Sequence, residues 1–277
     1  MAGRTADTPL PTHGDPGLPD PADPARSARS GGGVQSLERA FNILETLADA
    51  GGVTGLSQLA TDADLPLPTI HRLVRTLVDL GYLRQEPSRQ YSLGPRLIRL
   101  GEMTSQLLGT WARPHLAAVV DKLGESVNLA MLDGDEIVYI GQVQGSRNSM
   151  RMFTEVGRRT LPHSTAVGKV MLAQESDAAV RALLKRTGMP RHTDHTLTTP
   201  DAFLTAVDEA RRTGYAIDDG EQELGVRCVA VPVLESPRRL ALSASGPAPR
   251  MTKEFIAEAV PLLQDAAARI SAEMGRR

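Results

Sequence analysis

Arg72, Arg75 and Thr76, with Thr69 and His71 just before them, place cations and hydroxyls among the apolar residues Ile70, Leu73, Val74 and Leu77. Side chains of this kind read nucleic acid. A guanidinium pairs with guanine through two parallel hydrogen bonds, and a threonine bonds phosphate or touches a thymine methyl. The stretch also lies in a local excess of positive charge. Over residues 66–100 the basic residues are Arg72, Arg75, Arg84, Arg89, Arg96 and Arg99 and the acidic ones are Asp79 and Glu86, six against two, or +4. The whole chain carries a net charge of −2, so the excess is a patch rather than general basicity. A solvated face is the other reading of such charge.

Presenting those side chains to a groove requires a small helical scaffold. Leu37, Ala40, Phe41, Leu44, Leu47 and Ala48 recur at three and four and predict a helix with one buried face. Ser36 would cap it, with Arg39 leaving the capping box incomplete. The run Asp-Ala-Gly-Gly at 49–52 ends it. A second helix is expected from Leu56 to about Thr61, then a turn, then a third helix over about 67–80 with Pro68 in its first turn and Gly81 as its stop. Ile70, Leu73, Val74, Leu77 and Leu80 form the apolar stripe of that third helix. Thr69, Arg72 and Thr76 lie opposite, with His71 and Arg75 on the flanks. Strands are expected at 82–85 and 90–93 around Glu-Pro-Ser-Arg, where Pro87 suits a type I turn. This order is that of a winged helix-turn-helix. Pro68, Thr69, His71, Arg72, Arg75 and Thr76 would enter a groove of double-stranded DNA, and Arg84 and Arg89 would reach it from the wing. A winged helix used only for protein interaction is the competing reading.

Residues 1–33 are rich in Pro and Gly and read as a disordered tail. Residues 94–109 read as a linker helix with apolar Leu97, Ile98, Leu100, Leu107 and Leu108. Beyond it, strands flank Asp133-Gly134-Asp135-Glu136, a hairpin signal, and "RMFTEV" is a candidate strand. Helices follow at 164–174, 177–187 and 201–213, strands at 215–218, 227–233 and 240–245, and a last helix at about 252–274. The class is α+β with a largely antiparallel sheet. The domains are therefore expected at 34–93, with the linker at 94–109 and a second domain at 110–277.

At 41% hydrophobic but only 3% aromatic residues, the cores must be aliphatic. No apolar run approaches the roughly 20 residues a membrane helix needs, and no signal-type segment opens the chain, so a cytoplasmic protein is expected. The one cysteine, Cys228, can form no internal disulfide and no cysteine-based zinc site. No cofactor or metal is expected.

The segments "VQSLERAFNILETLADAGG", "LPLPTIHRLVRTLVDLGYLRQEPSRQYSLGPRLIRLG", "GVRCVAVPV" and "LSASGP" resemble the IclR family of bacterial regulators, in the family's order and from about Val34 onward. The resemblance implies a winged-helix domain, a linker helix and a GAF-like effector-binding domain. It also implies homodimers, often paired into tetramers, on palindromic operators; two-fold operators do call for a two-fold protein. By the same resemblance the effector would meet the backbone of Ala166 and Val167, and the side chains of Asp218, Cys228, Ser243 and Ser245. A helix N-terminus suits a carboxylate, and Ser243 and Ser245 share a strand face. Asp218 would repel a carboxylate unless one of the two is protonated or the ligand offers an N–H or O–H. Glyoxylate in its hydrated form and ureides such as allantoin fit that rule, so the chain reads as a repressor of a catabolic operon released by such a ligand. Plainer readings stay open: Cys228 as core filler, His163 as a structural residue, Asp218-Asp219-Gly220 as a turn. A thiol-redox regulator through Cys228, and an enzyme with Cys228 as nucleophile and His163 as base, are the rivals; no catalytic role is the expectation.

Overall fold

The computed structural model describes residues 34–146 and 154–275, so the tail expected over 1–33 lies outside the described residues. The first elements are α1 (Gln35–Asp49), β1 (Val53–Thr54), α2 (Leu56–Asp62), α3 (Leu67–Asp79), β2 (Leu83–Gln85) and β3 (Tyr91–Leu93). The helices close on a core of Ile43, Leu47, Leu59, Ile70, Val74 and Leu77, with Leu83 from the wing.

Two features of α1 differ from expectation. The helix starts one residue before Ser36, with the Val34 carbonyl accepting from Leu37 N at 2.8 Å and no side-chain cap. Its buried face is also rotated. Leu37, Phe41 and Ala48 are exposed, whereas Ile43 and Leu47 are buried and Ala40 and Leu44 half-buried. Leu37, Phe41 and Ala48 lie along one edge of the apolar stripe, and a short helix needs only the stripe's centre to wall a three-helix core. Leu80 is likewise exposed, because α3 has already ended at Asp79.

The wing is a three-stranded antiparallel sheet in the order β1-β3-β2, with Arg84 opposite Ser92 and Gln85 opposite Tyr91. β1 has two residues, too few for any periodicity to announce it. At the hairpin tip Arg89 takes a left-handed φ of 65° while its N–H bonds the Glu86 carbonyl at 2.9 Å.

α4 (Arg96–Leu108) covers the expected linker. Leu100, Met103 and Leu107 make an exposed stripe along it, and Ile98 is exposed on another face. A short 3-10 turn leads into α5 (Arg113–Leu123), which the sequence reading passed over although Pro114 and the spacing of Leu116, Val119, Val120 and Leu123 announce it. At the junction a Cβ on Gly109 would lie 2.8 Å from the Ile140 carbonyl carbon, so only glycine allows this approach to the sheet.

The larger sheet holds β4 (Ser126–Asp133), β5 (Glu136–Val143), β6 (Arg159–Thr160), β7 (Ala216–Asp219), β8 (Val226–Val233) and β9 (Leu240–Pro247). Its order is β6-β5-β4-β9-β8-β7, antiparallel at every pairing. The strand expected at "RMFTEV" is not there in its described part. Residues 151–153 lie outside the described residues, and 154–156 form loop and turn, where the Thr154 carbonyl is taken by the Gln142 side chain instead of a ladder partner. Helices α6 (Ala166–Leu172), α7 (Asp177–Thr187), α8 (Pro200–Thr213) and α9 (Lys253–Met274) complete the fold.

Period-two alternation gives the two faces of this sheet different characters. Val127, Leu129, Ile140, Val229, Val231 and Leu242 pack large aliphatic groups against α5 and α9. The other face carries Ala130, Ala216, Ala230 and Ala241, with Tyr139 and Ile137, and receives α6. Small residues there let a helix lie close and leave room for the polar groups described next.

Candidate nucleic-acid interface and effector site

On α3 the structure sets Pro68, His71, Arg72, Arg75 and Thr76 in solvent and Thr69 half-buried, with Ile70, Val74 and Leu77 turned into the core. Thr76 spends its hydroxyl locally, donating to the Arg72 carbonyl at 3.0 Å. All six arginines of the positive patch are exposed, but two are engaged by the protein itself. Arg96 donates through Nη1 to the Leu80 carbonyl at 2.9 Å and lies over the Tyr82 ring, closing the end of α3. Arg84 Nε is paired with Glu86 at 2.7 Å. Arg72, Arg75, Arg89 and Arg99 have no acidic or hydrogen-bonding side-chain partner among the described residues, so the uncommitted charge lies on α3, the wing tip and α4.

The second site lies on the alanine-rich face of the large sheet. Register builds it. Asp218 on β7 pairs with Cys228 on β8, and Cys228 with Ser245 on β9, so the three stand in one row across the strands. Tyr139, Thr154, Thr165, Gln222, Glu223 and Val226 join them around a cavity of about 20 Å³, the space of about one water. Ser243 falls one step along β9, opposite Asn128 and Ala230. It lies behind the cavity wall, joined to Ser245 through Asn128, whose Nδ2 donates to both hydroxyls at 3.4 and 3.2 Å. Asn128 in turn accepts from Gln142 at 2.9 Å, and Gln142 also reaches Thr154. Thus Asp218, Cys228 and Ser245 are brought together, and Ser243 supports them from the next row.

The side chains of Ala166 and Val167 are packed in the core rather than around the cavity; the α6 residue that lines it is the cap, Thr165. Thr165 Oγ1 accepts from Gly168 N at 3.1 Å and its carbonyl from Lys169 N at 3.2 Å, so the N–H groups of Ala166 and Val167 are the first-turn donors that the helix itself leaves unpaired. A Cβ on Gly168 would stand 2.5 Å from Pro162 Cα and closer still to its carbonyl oxygen, which fixes glycine at this contact.

Beneath the cavity lies an ionic cluster that sequence reasoning missed. Lys169, 3% exposed, donates to the Ile217 carbonyl at 2.8 Å and pairs with Glu221. Asp218 Oδ1 accepts from Glu221 N at 2.7 Å. Burial pushes the Asp218 carboxyl up to about 7; the neighbouring Glu221 adds to the rise while Glu221 N–H and Lys169 oppose it. Glu221 is also raised by burial, against the pull of Lys169. The one visible hint was Lys169 inside the apolar run "AVGKVML", where a lone charge needs a partner. Similarly, Asn128 in the apolar strand "SVNLAMLD" marked a polar spot on the inner face.

The two rival residues stand apart. Cys228 is half-buried and lines the cavity, and burial, reinforced by Asp218, pushes its thiol far above the ordinary range. A redox sensor needs the reverse. His163 is fully buried, bonded through Nε2 to the Pro190 carbonyl at 2.9 Å and stacked on His192. Burial lowers its pKa to about 4. Among the described residues no hydrogen bond joins it to Cys228.

A winged helix-turn-helix followed by an antiparallel-sheet domain with a small cavity edged by polar side chains is the architecture of a DNA-binding regulator. The chain belongs to the IclR family of bacterial transcriptional regulators: the IclR helix-turn-helix domain matches residues 36–87 and the bacterial transcriptional regulator IclR C-terminal domain residues 102–272. The HTH-type transcriptional regulator KdgR of Escherichia coli (strain K12) is 35% identical over 247 residues, spanning 87% of this chain and 93% of the relative. The acetate operon repressor of Salmonella typhimurium is 34% identical over 258 residues, spanning 91% and 94%. The crystal structure of the Thermotoga maritima IclR aligns with a TM-score of 0.70 at 29% identity, covering 87% of this chain and 99% of that one. These relatives are transcription regulators, and membership sets the enzyme reading aside. No helix among the described residues is long and apolar enough to cross a membrane.

Proposed function

We propose that this protein is a cytoplasmic repressor of a catabolic operon, released from a palindromic DNA operator by a small carboxylic acid or ureide bound at Asp218, Cys228 and Ser245. The observation that carries this reading is the row of polar side chains facing one cavity, with Thr165 and the first turn of α6 at its edge. Glyoxylate hydrate and allantoin are the ligand types we favour, because each offers O–H or N–H donors along with acceptors; either must widen a cavity that has room for about one water. The raised pKa of Asp218 adds a second way to take an acid. A neutral Asp218 carboxyl donates to a ligand carboxylate, so the repulsion expected from the sequence falls away near and below pH 7. Among the described cavity residues there is no cation, and Lys169, which does not line the cavity, is paired with Glu221.

For the DNA side, we assign groove contact to Pro68, Thr69, His71, Arg72, Arg75 and Thr76 and wing contact to Arg84 and Arg89, with residues 34–93 as the DNA-binding domain, 94–109 as the linker and 110–277 as the effector domain. The exposed stripe Leu100, Met103 and Leu107 on α4 supports a homodimer or dimer of dimers, as a two-fold operator demands. Effector binding would shift operator affinity through its different affinity for two arrangements of that dimer, with α4 as the connection.

The test uses the full chain. Thermal unfolding is followed with a panel of small organic acids and ureides, and each ligand that raises the midpoint is then tested for release of a DNA duplex selected by the protein from a random library. A native-state ligand must raise the midpoint. Stabilisation lost in Asp218→Ala or Ser245→Ala, with DNA release, bears the reading out. Stabilisation unaffected by either change places the effector elsewhere.

A further inference from the structure

The wing carries an acidic residue on the face where the proposed function needs positive charge, and its geometry gives that residue a use. Arg84 and Ser92 are directly opposite each other on β2 and β3, on the side turned away from buried Leu83. Glu86, two residues beyond Arg84, returns to the same side. One carboxylate oxygen, Glu86 Oε1, accepts from Arg84 Nε at 2.7 Å and from Ser92 Oγ at 2.6 Å. Arg84 Nε also lies 3.2 Å from Ser92 Oγ, which closes a three-membered cluster. Ser92 is buried, at 7% exposure, so the anchor beneath the pair is fixed by the sheet. The Arg84 side chain, by contrast, is 62% exposed. Its bond to Glu86 uses Nε alone, and neither terminal amino group has a protein partner among the described residues.

We propose that Glu86 is a positioning residue for DNA contact: with Ser92 it grips Arg84 by Nε and holds both terminal amino groups outward for a phosphate or a minor-groove edge. An exposed pair of this kind adds little to stability. What it supplies is order, because a free arginine loses several rotatable bonds on binding and a held one has already lost them. The idea rests on the wing contact by Arg84 assigned above. It also reverses the electrostatic expectation, since an acidic group next to DNA ordinarily weakens binding and its removal ordinarily strengthens it.

The experiment measures binding of the full chain to a fluorescent duplex selected from a random library by the wild-type protein, as a function of salt. The variants are Arg84→Ala, Glu86→Ala, Glu86→Gln and the double change of Arg84 and Glu86 to Ala, each with a thermal midpoint to verify folding. Glu86→Ala is expected to weaken binding roughly two- to tenfold, the cost of ordering one long side chain, with its salt slope kept. Glu86→Gln keeps an oxygen for Nε and is expected to bind at least as tightly as wild type. Arg84→Ala is expected to weaken binding and lower the salt slope by about one. The double variant should be no weaker than Arg84→Ala. If Arg84→Ala weakens binding but Glu86→Ala matches or exceeds wild type, positioning is overturned while the wing contact stands. If Arg84→Ala binds like wild type, both fall.

Discussion

Replacing Asp218 by Asn changes one proton in the cavity and little else, because Asn retains the Oδ1 that accepts from Glu221 N. In the folded protein, burial raises this carboxyl from 3.8 to about 7. Between those two values the native state holds a proton that the unfolded chain has released. The contribution is complete below 3.8, is lost as the pH rises, and levels off once the native group ionises near 7. Integrated from pH 5 to pH 8, the loss is about 2.5 kcal/mol as an order of magnitude. His163 acts in the opposite direction. Burial lowers it from 6.5 to about 4, so acidification through that window favours the unfolded chain, which takes the proton the native state refuses. The two overlap, and the raw stability of the wild type against pH reports their sum. The difference between wild type and Asp218→Asn removes the histidine. Urea unfolding at pH 5, 6, 7 and 8 should show that difference moving by about 2–3 kcal/mol in favour of the variant as the pH rises. Parallel profiles would refute a buried neutral carboxyl at this position, and with it the second route to an acidic ligand.

Three further outcomes follow from the same contacts. Arg72→Ala should cost about 1–3 kcal/mol of binding to a selected duplex, read by fluorescence anisotropy, and much less on unrelated DNA; equal losses on both would make Arg72 a phosphate contact instead. Gly168→Ala forces a methyl against the Pro162 backbone, which cannot swing aside, so the urea midpoint should fall by the equivalent of about 1–3 kcal/mol. Cys228, its thiol raised by burial and by Asp218, should react with iodoacetamide at pH 8 more than about tenfold slower in the native protein than in urea. Native labelling as fast as in urea would bring the redox reading back.

The extent to which this chain could be read in advance depended on how far each contact reaches along the sequence. Helices α7 and α8 carry local signals at both ends. Ser176 and Thr199 cap them by accepting from Ala179 N and Ala202 N, glycines 188 and 214 close them, and the bounds read from sequence lie within a residue of those found. The hairpin of β4 and β5 was equally legible, since a Gly at φ 65° between alternating apolar runs specifies both strands. Harder to see were choices made by partners distant in the chain. Nothing within α1 says that Ile43 rather than Phe41 faces inward; that is decided by the packing of α2 and α3. The candidate site shows the same limit. Asp218, Cys228 and Ser245 fall in one row only because three strands pair in one register, and Ser243, identical in type and two residues away, falls outside it. A family resemblance can name all four, but the sheet decides which of them a ligand could touch. Lys169 and Glu221 lie 52 positions apart, and although the apolar run around Lys169 announces its burial, nothing near it in the chain names its partner. Their pairing commits Lys169 to Glu221, and burial, opposed only in part by Lys169 and the Glu221 N–H, raises Asp218. The raised Asp218 carboxyl therefore depends in part on a contact that no window of neighbouring residues contains.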